Sequence, residues 1–390
     1  MSTPVIRGWC PGAHRPMASG DGLVVRVRPP LGELTAEQAR GLAGAATRFG
    51  NGLIELTNRA NLQLRGVTET THGFLLDTLA ELGLLDADPQ IEGRRNIVLN
   101  PFRGTEDDNE QTRIGMQLAA SLATSDLDEL PSKFGFVIDT GPNRCLAQIS
   151  GDIRIEAAGA QLIVRADGCA TGRYVRDAEE AVSLTLDLAR WFIATGGVGP
   201  DGRGRMARHL AGEPVLPEEL AGNIKPNEGS FVPRPGPIPS GLLVAAGFGQ
   251  LAPDDLLALA AAARCPMRIT PWRMFFLPAV TDAAVFREYN SLITNPDDPL
   301  LRVHACIGAP GCTQSSVETR KLARDLAERL HASTTLHVSG CVKGCVYPTT
   351  CDRTLVGKEG LFDLVIRGSP WDDPNRCALL PADLPDIIGG

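Results

Sequence analysis

The chain has 390 residues, 43% of them hydrophobic and 22% charged, with a formal net charge of -8. That length exceeds one ordinary core and implies several domains. The acidic balance gives no support to a nucleic-acid partner, and no uninterrupted apolar run reaches membrane-spanning length. The opening MSTPVIRGWCPG lacks the apolar centre of a secretory signal, so a cytoplasmic protein is expected. In that compartment ten cysteines point toward metal rather than disulfides.

Taken in order, GLVVRVRPPLG (22–32) reads as a strand with Arg26 and Arg28 on one face and valines on the other. LTAEQARGLAGAATRF (34–49) reads as a helix, capped by Thr35 with Gln38 completing a capping box. GLIELTNRANLQLRGV (52–67) gives strand, turn and strand, and THGFLLDTLAELGLL (71–85) a second helix. GRRNIVLNPFRG, an acidic helix and the strand-like LPSKFGFVIDTG, ISGDIRIEAAG and AQLIVRADG follow. GVGPDG (197–202) has the glycine spacing of a dinucleotide fingerprint but follows a helix, not a strand, so a helix-terminating turn explains it better. The Pro- and Gly-rich PNEGSFVPRPGPIPSG (226–241) reads as a linker.

Beyond it, GQLAPDDLLALAAAARC and PMRITPWRMFFLPAV repeat the pattern of the first unit. Ile269–Thr270 answers Leu56–Thr57, an internal repeat offset by roughly two hundred residues. The last third carries HACIGAPGCTQ and SGCVKGC. Between them TQSSVETRKLARDLAERLH (313–331) reads as a helix whose apolar face is Val317, Ala323, Leu326 and Leu330; STTLHVSG and LFDLVIRG read as strands.

Cys306-x5-Cys312 and Cys341-x3-Cys345 do not have zinc-ribbon spacing. Both pairs fall on loops where Gly308, Gly311, Gly340 and Gly344 let backbone amides face a metal–sulfur core. A [4Fe–4S] cluster, structural zinc and simple burial all remain open. Cys10, Cys145, Cys169, Cys265, Cys351 and Cys377 lack partners at ligand spacing, and Cys145, Cys169 and Cys265 are expected in the core. His304 and His337 flank the cysteine loops as supporting residues, iron ligands or packed side chains. Arg26, Arg28, Arg59, Arg65, Arg95, Arg103 and Lys133 lie beside strands of the first half. Together they suggest a positive sheet face suited to a polycarboxylate.

With the cysteines, the arginines and the repeat, the chain resembles the sirohaem-dependent sulfite and nitrite reductase superfamily. The resemblance implies an α+β fold of duplicated architecture: ferredoxin-like half-domains (18–86 and 242–300) paired with two cluster- or tetrapyrrole-binding α/β domains (88–225 and 301–385), joined by the linker. It implies that Cys306, Cys312, Cys341 and Cys345 hold a [4Fe–4S] cluster. RVRPPLG matches the segment supplying an active-site arginine, Arg28; RRNIV places Arg95 on a second anion-contacting arginine, and LPSKF places Lys133 on a catalytic lysine. LTNRANLQLRG carries Thr57, Arg59, Asn61 and Gln63, with Arg65 near its end, where relatives line the tetrapyrrole cavity.

One departure separates the chain from sulfite reductases: Gly135 stands where they have a second lysine. The opening RGWCPGAHRPMASGDGLVVRVRP is similar to that of the precorrin-3B synthases, monooxygenases of aerobic cobalamin synthesis within the same superfamily. That resemblance implies precorrin-3A and O2 as substrates, C20 hydroxylation with γ-lactone formation, and electrons from a separate NADH-linked reductase. It also implies a mononuclear non-haem iron, whose ligands no motif names. The alternatives are a sulfite or nitrite reductase, with sirohaem as cofactor, and a non-catalytic tetrapyrrole-binding or electron-transfer protein.

Overall fold

A computed structural model describes residues 11–106, 109–230 and 232–389; Cys10 lies outside the described residues. The first unit runs β1 (Met17–Ser19), β2 (Gly22–Val27), β3 (Glu33–Leu34), α1 (Ala36–Phe49), β4 (Ile54–Leu56), β5 (Leu62–Val67) and α2 (Glu69–Glu81). Strand β2 stops at Val27, short of the expected 32, because Pro29 and Pro30 have no N–H to donate. Leu23, Val25 and Val27 enter the core with Leu42 and Ala46 of α1, which turns Arg26 to the opposite face. The capping box forms: Gln38 N donates to Thr35 Oγ1 at 3.1 Å, and Thr35 N donates to the Gln38 side chain at 3.0 Å.

The second unit comprises α3 (Pro89–Arg94), β6 (Ile97–Leu99), α4 (Glu110–Ala123), β7 (Phe136–Asp139), β8 (Ile153–Ala158), β9 (Gln161–Ala166), β10 (Arg173–Val175), α5 (Ala178–Ala194) and α6 (Met206–Leu210). Its sheet has the order β10-β9-β8-β7-β6, with β6, β7 and β8 parallel and the rest antiparallel. After α5 the glycine run closes the helix. Gly196, at φ 82, donates to Ile193 O at 3.1 Å, and Gly197 to Phe192 O at 2.8 Å, the paired bonds of a left-handed C-cap.

The third unit is β11 (Gly236–Ile238), β12 (Gly241–Ala246), β13 (Gln250–Leu251), α7 (Pro253–Ala262), β14 (Met267–Ile269), β15 (Met274–Pro278) and β16 (Leu292–Ile293). Strand β11 lies inside the stretch that reads as a linker, because its backbone pairs with β12 despite Pro237. The fourth unit is β17 (Val303–Ala305), α8 (Arg320–Ala327), β18 (Leu336–Ser339), β19 (Cys351–Lys358), β20 (Leu361–Gly368), β21 (Arg376–Leu379) and α9 (Leu384–Gly389). Its sheet repeats the second unit's plan, three parallel strands followed by two antiparallel ones.

The duplication is reciprocal. Strand β13 of the third unit pairs with β4 of the first, and β3 of the first pairs with β14 of the third. Each exchanged strand follows a turn with two left-handed residues, Leu31 (φ 56) and Gly32 (φ 69) in the first half and Phe248 (φ 60) and Gly249 (φ 74) in the second. Helix α1 packs on α7, and one apolar core holds Val25 and Leu42 together with Leu256 and Phe275. Each sheet is completed by the other half, so the two halves share one core.

Helix α8 is shorter than the expected 313–331. Ser and Thr side chains ahead of it bond the neighbouring loop instead of propagating a helix: Thr319 Oγ1 donates to Cys306 O at 2.5 Å and Ser315 Oγ to Val317 O at 2.9 Å. Val317 and Leu330 lie off the helix yet are buried in the same core as Ala323 and Leu326. Cys145, Cys169 and Cys265, expected in the core, are only half-buried, whereas Cys351 is buried and Cys377 exposed. Among the described residues no helix is long and apolar enough to cross a membrane.

Candidate functional site

Strands β17 and β18 are parallel neighbours, so the loops leaving their carboxyl ends emerge side by side. This is where open α/β sheets gather functional groups. The first loop carries Cys306 and Cys312, the second Cys341 and Cys345, and all four line one cavity of about 370 Å3. Gly340 N donates to Cys306 Sγ at 3.1 Å. A Cβ on Gly340 would stand 2.3 Å from Ser315 Oγ and 3.3 Å from that sulfur, so only glycine fits. Gly308 and Gly344 have φ of 65° and 59°. Burial pushes the Cys341 and Cys345 thiols up; Cys306 and Cys312 push the same way, against Lys343. Among the described residues no three His, Cys, Asp or Glu groups close on a point where a single ion would sit.

The first half-domain clasps the Cys306–Cys312 loop. Gly311 O accepts from Ser19 Oγ at 2.6 Å, Gly20 N at 3.2 Å and Arg65 Nη2 at 3.0 Å. Arg65 also pairs with Asp21 at 2.7 Å and Glu55 at 3.2 Å. Arg320 holds the other oxygen of Glu55 at 2.6 Å. Burial pushes the Glu55 carboxyl up, but Arg320 and Arg65 together outweigh it and hold the pKa below its ordinary value. Arg65, expected at a tetrapyrrole cavity, lines this cysteine cavity with its guanidinium committed to protein partners.

Two other arginines on this wall are less committed. Arg26 donates from Nη2 to Gln63 Oε1 at 2.7 Å, and its buried Nε has no partner. Arg273 enters from the second half; burial, reinforced by Arg320, lowers its pKa, with only Glu55 opposing. Its backbone is left-handed at φ 59, and Gly249 makes room for the stem, since a Cβ there would meet Arg273 Cδ at 2.8 Å. Sequence reading missed Arg273. Carrying the repeat through the turn would have found it, since it stands where the first copy has Ala60.

The remaining predicted residues are divided among other places. Thr57 lines the cysteine cavity, but its Oγ1 staples the turn, accepting from Arg59 N at 3.3 Å and Asn61 N at 3.2 Å. Arg59, Asn61 and Arg95 line a separate crevice of about 10 Å3 with Gly135. A Cβ on Gly135 would have ordinary contacts of 3.5 Å to Asn96 O and 3.7 Å to Arg59 Nη1. A lysine there would add a third cation to that crevice. Lys133, whose carbonyl accepts from Arg59 Nη2 at 3.0 Å, lines a cavity of about 800 Å3 with Arg203, Arg205, Arg208 and His209.

Arg28 is buried. Its Nη1 donates to Glu92 O, its Nε has no partner, and burial brings its pKa down to about 10. Arg95 grips Asp86 through two bonds of 2.7 and 2.8 Å and donates to Arg28 O at 2.7 Å. Arg103 braces the two halves by sharing Glu33 with Arg268, at 2.6 and 2.9 Å. The single positive sheet face expected from the sequence is therefore dispersed, because each guanidinium is drawn to the carboxylate or carbonyl that packing brings to it.

His304 and His337 face each other in register on β17 and β18. His337 is fully buried, and neither of its ring nitrogens has a partner. The His304 ring lies flat on Tyr347 at 3.8 Å, and Tyr347 meets His337 edge-on at 6.1 Å. Burial lowers both histidines to a pKa of about 4; His337 and Arg273 add to the effect on His304.

The nitrite/sulfite reductase ferredoxin-like half domain matches residues 15–82. A precorrin-3B synthase from Sinorhizobium sp is 29% identical over 93% of this chain and 83% of its own length. A ferredoxin–nitrite reductase from Synechococcus elongatus is 24% identical over 97% of this chain and 87% of its own length. Among solved structures, the Mycobacterium tuberculosis NirA protein superposes with a TM-score of 0.66 at 17% identity, over 94% of this chain and 79% of that one. That match is a likeness of fold.

Proposed function

We propose that this homologue of precorrin-3B synthase, built on the nitrite and sulfite reductase fold, is an O2-dependent monooxygenase of aerobic cobalamin synthesis. The reaction is hydroxylation of C20 of precorrin-3A with γ-lactone formation, in the cytoplasm, with electrons from an NADH-linked reductase. The observation that carries this reading is the shared cavity, where four cysteines meet arginines from both half-domains.

The donor set fits a [4Fe–4S] cluster. Four thiols line one cavity, and four thiolates are the protein ligands such a cluster takes. The amide bond from Gly340 to Cys306 Sγ is of the kind that tunes a cluster's potential. When bound, such a cluster supplies single electrons and the mononuclear iron supplies the O2 chemistry. The chain's own residues bind and orient. Arg26 and Arg273 present guanidinium groups to the acidic side chains of the macrocycle, and Gln63 holds Arg26 in place. Arg28, Arg95 and Lys133, expected as anion contacts, lie outside this cavity, Arg28 bonded to Glu92 O, Arg95 to Asp86 and Lys133 beside Arg203, Arg205 and Arg208. Of the expected wall residues Thr57 lines it, and Arg59 and Asn61 line the separate crevice.

The nearly full-length match to a nitrite reductase supports a second reading, with sirohaem as cofactor and a small anion as substrate. An absorption spectrum of anaerobically purified protein, with acid–acetone extraction of pigment, separates the two. Iron–sulfur absorption without extractable sirohaem is the expected result, and precorrin-3A turnover then tests the reaction itself. Stoichiometric sirohaem overturns the first reading in favour of the second.

A further inference from the structure

The cavity that holds Lys133 shares no lining residue with the cysteine cavity and is built from residues 131–212 alone. Its volume of about 800 Å3 falls in the range of small-molecule sites, about 300–1,000 Å3. One wall is a glycine-rich loop that bonds to itself. Gly199 N donates to Arg203 O at 2.7 Å, and Gly202 N to Gly199 O at 2.9 Å. A Cβ on Gly204 would stand 2.1 Å from Gly197 O, so the loop closes only with glycine there. Arg205 is fixed as well. Its Nε donates at 2.9 Å to the buried Asp152, whose other oxygen accepts from Gly135 N at 2.9 Å. His209 is held by Thr195 at 2.7 Å and packs on Trp191 and Phe192. The cavity is therefore preformed.

Lys133, Arg203, Arg205 and Arg208 bring four positive charges to this one cavity, in a chain whose net charge is -8. Two of them are balanced. Asp152 pairs with Arg205, and Asp201, the only carboxylate lining the cavity among the described residues, lies 3.5 Å from Arg203. The Lys133 ammonium and the Arg208 guanidinium have no hydrogen-bond or ion-pair partner among the described residues. Like charges gathered in this way repel one another and oppose the compact state, and two negative charges in the cavity would offset that. We propose that this cavity is a binding site for a small dianion, a phosphate ester or a dicarboxylate, with Lys133 and Arg208 as its charge contacts and Arg203 and Arg205 at its rim. A guanidinium pairs with either group through two parallel bonds, and lysine meets it as a point charge. The site does not rest on the function proposed above, since neither the four cysteines nor the macrocycle enters it.

The test is calorimetric titration of the full chain with sodium phosphate and with sodium succinate, each against sodium chloride of equal ionic strength. One saturable site is expected, and the dianion that binds more tightly identifies the acidic group of the ligand. Lys133→Gln and Arg208→Gln should each weaken binding by about tenfold or more, the effect of losing a hydrogen bond to a charged group. Arg190→Gln, which removes an exposed arginine outside the cavity, should leave it unchanged. Arg208 is exposed, so Arg208→Gln decides the matter if Lys133→Gln fails to fold. No binding of either dianion beyond the chloride control overturns the inference, as does wild-type affinity in Arg208→Gln. An equal loss in Arg190→Gln and Arg208→Gln reduces the effect to general charge and overturns it too. Displacement of the bound dianion by a uroporphyrinoid gives the cavity to the macrocycle, which overturns the small-dianion site and leaves the proposed function standing.

Discussion

Thr57 and Thr270 perform the same task in the two halves of the chain. The Thr57 hydroxyl accepts from the backbone N–H of Arg59 and Asn61 at 3.3 and 3.2 Å, and that of Thr270 from Trp272 and Met274 at 3.4 and 3.3 Å. In both turns the third residue after the threonine is left-handed, Ala60 at φ 53 and Arg273 at φ 59. One scaffold has thus been kept twice, and only the second copy has a cation at its left-handed position. A left-handed arginine is strained relative to glycine or asparagine, and its tolerance here is consistent with a role for the side chain in the cavity.

Arg273→Ala should weaken binding of a carboxylate-bearing tetrapyrrole by about 1–3 kcal/mol, the range for losing a hydrogen bond to a charged group. Fluorescence titration with a uroporphyrinoid measures it. Arg273→Gly should lose as much affinity, yet be no less stable than Arg273→Ala because it relieves the backbone. Unchanged affinity in both variants would remove Arg273 from the ligand site.

Cys312→Ser should abolish the iron–sulfur absorption and lower iron and acid-labile sulfide together. Gly340→Ala keeps all four thiols but forces a methyl group against Ser315 Oγ and the Cys306 sulfur. It should displace the amide donor and shift the midpoint potential or reduce cluster occupancy. Full iron and sulfide in Cys312→Ser, measured on folded protein, would refute the ligand assignment.

Arg65→Ala is expected to act on stability before function. It strips the ion-pair partner from Asp21 and one of two from Glu55, and removes one of three donors to the Gly311 carbonyl. Breaking a buried ion pair from one side costs about 3–5 kcal/mol, so thermal unfolding should fall by several degrees. Arg28→Ala, whose arginine bonds a carbonyl rather than a carboxylate, should cost less stability. Equal melting shifts for the two variants would contradict this ordering.

Acid should loosen the same joint. The folded-state pKa of Glu55 is depressed below the ordinary 4.5 by Arg320 and Arg65. Below that pH the unfolded chain binds a proton the folded chain does not. The stabilisation is therefore complete above pH 4.5 and is lost as pH falls through the depressed folded value. Denaturant unfolding at several pH values should show wild-type stability falling more steeply below pH 4.5 than that of Glu55→Gln; identical slopes would exclude Glu55 as the source.

What the sequence determined by itself is local. The Thr35–Gln38 box, the helix end at Gly196 and Gly197, and the cysteines on glycine-rich loops all depend on residues a few positions apart, where geometry follows from chain chemistry. The repeat was legible because Leu56–Thr57 and Ile269–Thr270 keep the same turn. The tertiary structure decided the rest: the exchange of β3 and β13, the commitment of Arg65 to Asp21 and Glu55, the entry of Arg273 into the cavity and the isolation of His337. Those outcomes depend on which distant group packs across from each side chain, and a guanidinium or imidazole takes its role from that neighbour.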